Sequence, residues 1–304
     1  MTNPVTGNQH SSITETVDQR FQNLDKKQIA DLVKLMNEVD RDVPLAISKS
    51  LDQITAAIEA VSENYLAGGR IIYVGAGTSG RIATLDASEI YPTFGVGNRV
   101  IAVMAGGRDA LVNPSEGAED DRAAGARAVS DLQVFKNDTV IGVASSGSTP
   151  FVLEAITEAK RRGATTVGIS CNSSSELGAI SHHPIEVVVG PEVIAGSTRL
   201  KAGTAQKMIL NMISTITMVQ AGKTYGNMMV DVVASNTKLK RRAKTIVSEL
   251  AGVDLTKAEE ALGECGWNVK RTIVSLKLGV SANEAAVLLE RSNGYLALAL
   301  GESD

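Results

Sequence analysis

Aromatic side chains are scarce in this chain of 304 residues: 4 Phe, 5 Tyr and 1 Trp, or 3%. Recognition by stacking needs ring platforms, so a base-stacking nucleic-acid binder is excluded, and so is a sugar site lined with rings. Positive charge is not in excess either. A net charge of −4 leaves no broad basic footprint for a nucleic acid. The 2 Cys (Cys171, Cys265) and 3 His (His10, His182, His183) make neither a disulfide framework nor a zinc site. Reduced thiols in the cytosol are the default reading. The longest apolar run, Met208–Val219, is interrupted by Asn211, Ser214, Thr215 and Thr217 and is too short to span a bilayer. The first 20 residues are polar, without the apolar core of a signal peptide. The expectation is a cytoplasmic protein with no membrane or nucleic-acid partner. Its chemistry must come from carboxylates, hydroxyls, Lys, Arg or backbone amides.

Glycine, by contrast, is abundant, at 28 residues. Residues 1–25 read as a loose polar arm. Lys26–Asp40 carries Ile29, Leu32, Val33 and Met36 at helical spacing. A second helix is expected from Pro44 through Val61, ending at Gly68-Gly69. From residue 71 short β-branched runs alternate with helical segments. These are Ile71–Gly75, Val100–Met104, Thr139–Ala144, Thr165–Ser170 and Ile185–Val189. Each is apolar nearly throughout, as in strands buried on both faces of a parallel sheet. The fold class is α/β, a doubly wound parallel sheet flanked by helices, with a small C-terminal helical subdomain. Helices are expected over Thr198–Gln220 and Asn227–Leu250, the basic cluster Lys238–Lys244 being a solvated face. About three short helices follow in 252–304. The domain boundaries read as 1–45 for the arm and first helix, 46–250 for the sheet domain and 251–304 for the appendage.

Ligands of doubly wound sheets bind outside the carboxyl ends of the strands. Two loops there carry chemistry. Gly75-Ala-Gly-Thr-Ser-Gly80 follows a strand and opens a helix, where glycines and helix N-terminal amides welcome an anion and Thr78 and Ser79 add hydroxyls. Its glycine spacing also fits a dinucleotide fingerprint. Ser145-Ser-Gly-Ser-Thr149, before Pro150, supplies four more hydroxyls and no Walker lysine. Either loop alone could be an ordinary helix cap. Together they suit one phosphate monoester. His182 and His183 precede Pro184 at the start of a strand and read as surface or supporting residues, and Cys171 as a small buried hydrophobe.

The two loops resemble the sugar isomerase (SIS) domain, which binds phosphosugars. Longer runs resemble the N-acetylmuramic acid 6-phosphate etherase family, from about residue 20 to the C-terminus. They are Tyr73–Asp86 with Ala87-Ser88-Glu89, Glu116-Gly-Ala-Glu119-Asp120, Gly196–Lys207 and Gly226–Ala234. The resemblance implies an SIS fold, a homodimer, and a carbon–oxygen lyase of cell-wall recycling that uses no cofactor and no metal. Its substrate would be N-acetylmuramic acid 6-phosphate. It implies that Glu89 and Glu119 are the acid/base pair, Glu89 serving the departing lactate and incoming water, and Glu119 the C2 proton. It further implies substrate binding by Thr78, Ser79, Ser145, Ser146, Ser148, Thr149 and Lys201, with Arg199 a candidate for the lactyl carboxylate or the phosphate. Ser148 departs from the pattern, since family members often carry Arg there. Read without the family, Glu119 is equally a dipole-stabilised acid in a helix start.

Glu89 lies ten residues beyond Ser79, roughly 15 Å along a helix, and Pro92 discourages helix beyond residue 91. A site shared across a homodimer is therefore expected. The alternatives are a non-catalytic phosphosugar regulator, like the glucokinase regulatory protein, and a phosphosugar isomerase. The latter is opposed by Ala202-Gly203-Thr204, where such isomerases carry a Gly-Glu turn. The C-terminal segment, with Cys265-Gly-Trp267-Asn-Val269, resembles a ubiquitin-associated-like three-helix unit.

Overall fold

The computed structural model describes residues 12–302. The chain forms two compact units. The first takes residues up to Leu85 and Ile101–Ile213, and the second Asp86–Val100 and the chain from Ser214 onward.

The first unit is built on five strands: β1 (Ile71–Gly75), β2 (Val100–Met104), β3 (Thr139–Val143), β4 (Thr165–Ser170) and β5 (His183–Glu186). They are ordered β2-β1-β3-β4-β5 and form a parallel sheet. β1 and β3 are buried at every residue, as their continuous apolar runs require. The helices are α1 (Ile29–Asp40), α2 (Asp42–Ile47), α3 (Leu51–Leu66), α4 (Gly77–Phe94), α5 (Glu116–Glu119), α6 (Arg122–Asp131), α7 (Pro150–Arg161), α8 (Glu176–Ile180) and α9 (Lys201–Gln220). Of these, α4 and α9 run on into the second unit.

Strand alternation assigns the two faces of the sheet. Val152 and Ile156 of α7 lie where a Cβ on Gly142 would stand, so the even positions of β3 face α7. Ile72, Val74 and Val140 pack there with Phe151, Val152, Ala155 and Ile156. The odd positions face α3, whose Asn64 Nδ2 donates to Thr139 Oγ1 at 3.1 Å.

The amino ends of β1 and β3 are locked together by charge. Asp138, with no exposed surface, accepts from the Arg70 backbone amide at 2.9 Å, from Arg70 Nε at 3.1 Å and from the Phe135 amide at 3.1 Å. Its hydrogen bond holds the Arg70 guanidinium above its ordinary pKa.

Several boundaries differ from expectation. Residues 1–11 lie outside the described residues, but the rest of the polar arm is ordered into 3₁₀ turns over Ile13–Glu15, Gln19–Phe21 and Leu24–Lys26, with Thr14 buried. The helix expected from Pro44 to Val61 is broken by a 3₁₀ turn, Ser48–Ser50, before α3. Pro92 does not stop α4. The Thr93 hydroxyl donates to the Glu89 carbonyl at 2.8 Å and the Gly95 amide to Tyr91 at 2.9 Å, so the last turn holds. β5 begins and ends earlier than its apolar run, because pairing with β4 is confined to His183–Glu186.

In the second unit, the helix expected from Asn227 is replaced by a hairpin, β6 (Thr224–Tyr225) with β7 (Met228–Met229), turning at Gly226 with φ +54°. The helix α10 starts only at Thr237 and runs to Ala251, capped by Asn236, which accepts from the Leu239 amide at 2.9 Å. The basic cluster lies on α10, with Lys238, Lys240, Arg241 and Arg242 exposed. Three short helices follow as expected, α11 (Leu255–Glu264), α12 (Val269–Leu278) and α13 (Ala282–Arg291), and then a fourth, α14 (Leu296–Ala299). Val230, Val247, Leu262, Ile273 and Leu296 form one core, with Trp267 packed against it. The Lys270 ammonium bridges Asp231 Oδ2 and the Gly294 carbonyl, both at 2.7 Å. Among the described residues, no single helix is long and apolar enough to cross a membrane.

Removing the Asp138 carboxylate would strand Arg70 and two backbone amides. Asp138→Ala is expected to lose about 3 kcal/mol of stability, read from the urea unfolding midpoint. A loss below about 1 kcal/mol would place this interaction among ordinary surface ion pairs.

Candidate active site

The strand order reverses direction of growth between β1 and β3. The chain leaves β1 through α4 toward β2, and leaves β3 through α7 toward β4. That is the topological switch point, where the carboxyl ends of neighbouring strands open a crevice. The loops Gly75–Gly80 and Ser145–Thr149 flank it. The first-turn amides of α4 and α7 have no partners within their own helices and carry the positive ends of the helix dipoles.

A buried amide ties the two loops together. Ser79 Oγ donates to Gln206 Oε1 at 2.9 Å, and Gln206 Nε2 donates to Ser145 Oγ at 3.0 Å. Gln206 comes from α9 and has no exposed surface. The second loop is held from behind by Asn172. Its Nδ2 donates to the carbonyls of Ser145 at 3.0 Å and Ser146 at 3.3 Å. Its Oδ1 accepts from Ser12 Oγ at 3.0 Å and the Ile13 amide at 2.8 Å. The N-terminal strap is therefore fastened to this loop. Gly147 sits at φ +73°, and a Cβ there would stand 2.4 Å from Ser175 Cβ, so the loop's sharp return demands glycine.

Glu119 ends α5. A Cβ on Gly77 would lie 2.7 Å from Glu119 Oε1, so the carboxylate rests against the opening of α4, and the left-handed φ of +51° is what favours glycine there. The preceding segment is clamped by Arg81, whose guanidinium donates to the carbonyls of Leu111 at 3.0 Å and Ala110 at 2.8 Å.

Comparison with known proteins agrees with this architecture. Residues 53–160 match the glucokinase regulatory protein N-terminal SIS domain, and residues 122–216 match the SIS domain. A phosphoheptose isomerase from Francisella tularensis superposes with a TM-score of 0.50 at 19% identity, covering 63% of this chain and 98% of that one. That likeness is one of fold. Proteins named N-acetylmuramic acid 6-phosphate etherase are far more similar. The one from Rubrobacter xylanophilus is 52% identical across 95% of this chain and 96% of its own length. Those from Streptomyces avermitilis and Pasteurella multocida are 47% and 46% identical, covering 94% and 96% of this chain and 93% and 97% of their own. The chain belongs to the N-acetylmuramic acid 6-phosphate etherase family.

Among the residues singled out in the sequence of this etherase-family chain, Ser79 and Ser145 meet through Gln206, and Glu119 lies against the first loop. Thr78, Ser146 and Thr149 are half-buried in the two loops, and Ser148 is exposed, its hydroxyl 3.1 Å from Ser146 Oγ. Glu89 belongs to the second unit and is exposed on α4. Lys201 is withdrawn from solvent. Its ammonium donates to the Val189 carbonyl at 2.7 Å, while Glu192 accepts from the amides of Lys201 and Ala202 at 3.0 and 2.9 Å. Burial pushes the Lys201 ammonium below its ordinary pKa, against the pull of Glu192. Arg199 is exposed on a groove with Phe21, Leu24 and Met36.

His182 is engaged by Thr166, whose amide donates to Nδ1 at 3.1 Å, and Cys171 is fully buried, its thiol pushed up to about 12. Among the described residues, no group of three or more His, Cys, Asp or Glu side chains could hold a metal ion.

Three residues of the site were not singled out from the sequence: Gln206, Asn172 and Arg81. All three carry a positional signal, Arg81 lying inside the family run Tyr73–Asp86. Gln206 lies inside the family run Gly196–Lys207, and Asn172 follows β4 at the same sheet edge as the loops.

If Asn172 joins strap and loop, one substitution should loosen both. Asn172→Ala is expected to accelerate amide hydrogen exchange over residues 12–16 and 145–149 together. Acceleration in only one of the two segments would separate them.

Proposed function

We propose that this chain cleaves the D-lactyl ether of N-acetylmuramic acid 6-phosphate, giving N-acetylglucosamine 6-phosphate and D-lactate. The observation that carries the reading is the approach of Glu119 to Gly77, which sets a carboxylate beside a two-loop anion cradle. The close similarity to proteins named for this activity supports it along nearly the whole chain.

An alkyl ether is a poor substrate for direct displacement. Opening the sugar ring exposes the C1 aldehyde and acidifies the C2 proton. Glu119 takes that proton. The electron pair forms the C2–C3 double bond as the C3–O bond breaks, and Glu89 gives its proton to the departing lactate. Water then adds at C3, Glu89 receives its proton, and C2 is reprotonated. General acid and base groups at these two steps each supply roughly 10²–10⁴-fold. The phosphate is held by the loops Thr78–Gly80 and Ser145–Thr149, through helix N-terminal amides and hydroxyls. The exposure of Glu89 supports an active site shared by two copies in a homodimer.

Incubation with N-acetylmuramic acid 6-phosphate in heavy-oxygen water should release lactate and place the label at C3 of the sugar. Label confined to lactate would reject elimination and hydration. Glu119→Gln should lower kcat by at least ~10² while the substrate still binds. A change smaller than tenfold would remove Glu119 from the chemistry.

The shared site has its own test. Heterodimers of Glu89→Ala and Glu119→Ala subunits should regain one working site and about half the wild-type kcat per site pair. Confirmed heterodimers without activity would show that each subunit works alone.

A further inference from the structure

A side-chain amide has one acceptor end and one donor end, and a serine has one proton to give. An amide bridging two serines must therefore receive the proton of one and donate its own to the other. Gln206 does this across the crevice. It receives the proton of Ser79 at 2.9 Å and donates to Ser145 at 3.0 Å. We propose that Gln206 is a positioning residue that gives the two serines opposite roles, Ser79 anchoring the first loop and Ser145 donating to the ligand's phosphate. This rests on the phosphate-cradle reading above and refines it.

The chemistry of the ligand separates the two hydroxyls. A phosphate dianion presents oxygen acceptors at its surface. Ser79 Oγ, its proton already committed to Gln206, would meet it with lone pairs. For Ser79 to donate instead, it would have to abandon the Gln206 carbonyl oxygen, or the whole amide would have to turn end over end inside a site with no exposed surface and take the proton of Ser145 in exchange. Losing a partner in such a place is costly.

Ser145 is in the converse state. It accepts from Gln206 Nε2, so its own O–H cannot point at that nitrogen and is directed elsewhere. Accepting one hydrogen bond also polarises the hydroxyl and strengthens the one it donates. Its backbone is fixed as well, since its carbonyl accepts from Asn172 Nδ2 and the Cys171 amide, each at 3.0 Å. A donor held in place and pre-polarised binds an anion with little reorganisation.

The test compares Ser79→Ala, Ser145→Ala and Gln206→Glu in steady-state turnover of N-acetylmuramic acid 6-phosphate, with inorganic phosphate as competing inhibitor. Both serine variants remove one partner of the buried amide, so their thermal stabilities should fall alike. Ser145→Ala should raise KM, and the inhibition constant of phosphate, roughly tenfold more than Ser79→Ala does, with no such difference in kcat. In Gln206→Glu the carboxylate accepts from both serines and turns Ser145 inward, so its KM should rise at least as far as that of Ser145→Ala. Should that variant fail to fold, the serine pair decides alone. Equal KM effects at the two serines, or a larger one at Ser79, would overturn the assignment and leave the phosphate cradle intact. Unchanged KM and phosphate inhibition in all three would instead remove the cradle itself.

Discussion

Parallel pairing of β1 with β3 is the constraint on which the rest of the site depends. A parallel neighbour must be reached by a crossover, and right-handed crossovers leaving two adjacent strands toward opposite edges must diverge. Here they diverge through α4 and α7, whose N-termini therefore face a common space at the carboxyl edge of the sheet. No side chain is needed to create that space or its positive potential, because both come from backbone direction and from first-turn amides that point out of their helices. The ion pair of Arg70 with Asp138 fixes the same two strands at their other end, away from the chemistry. Register and crevice are thus set by separate devices on one pair of strands.

What side chains add is fixation. A loop rich in glycine and serine has many conformations to lose, and an anion site built from it is weak if binding must order it. The polar bonds of Gln206 and Asn172 remove that freedom beforehand. Both residues are nearly without exposed surface. In such surroundings a satisfied hydrogen bond is strong and an unsatisfied one expensive, so each amide is held to one arrangement. Glycine contributes where space is short rather than where motion is needed. Gly147 leaves room for Ser175, and Gly77 takes a left-handed φ beside Glu119.

The sheet was largely legible in the sequence because double-sided burial writes a continuous apolar run. β1, β2 and β4 begin and end where those runs do, and the loops at their carboxyl ends followed directly. Helix limits were less legible. The sequence after Gly226 reads as helix from Asn227 because Met228, Met229 and Val230 are apolar at any periodicity, and the 3₁₀ turn at Ser48–Ser50 has no breaker residue to announce it. The N-terminal strap reads as a free arm, since Ser12 and Thr14 are polar and their partner Asn172 lies far along the chain. Gln206 was hidden for the same reason. A glutamine on a helix carries no mark of its partners until the helix is docked, whereas the loop serines stand in glycine-rich turns that follow strands, and Glu119 is reached through motif resemblance.

Lys201 shows how the same run of sequence serves binding and architecture at once. A lysine close in sequence to a proposed phosphate cradle invites assignment to the phosphate, yet this ammonium donates to the Val189 carbonyl and has almost no exposed surface. Glu192, equally buried, accepts from the first two amides of α9. A buried carboxylate at a helix N-terminus is stabilised by the dipole, and a buried ammonium nearby offsets its charge. Neither would survive alone in that environment. The pair joins the segment after β5 to the start of α9, and so fixes the helix that delivers Gln206 five residues later. Displacing the Lys201 ammonium toward a ligand would leave the Val189 carbonyl without this donor and Glu192 with only the two α9 amides, at a cost that a single phosphate contact would have to exceed. The alignment of α9, and through it the bridge between the two serines, therefore depends on this lysine staying where it is.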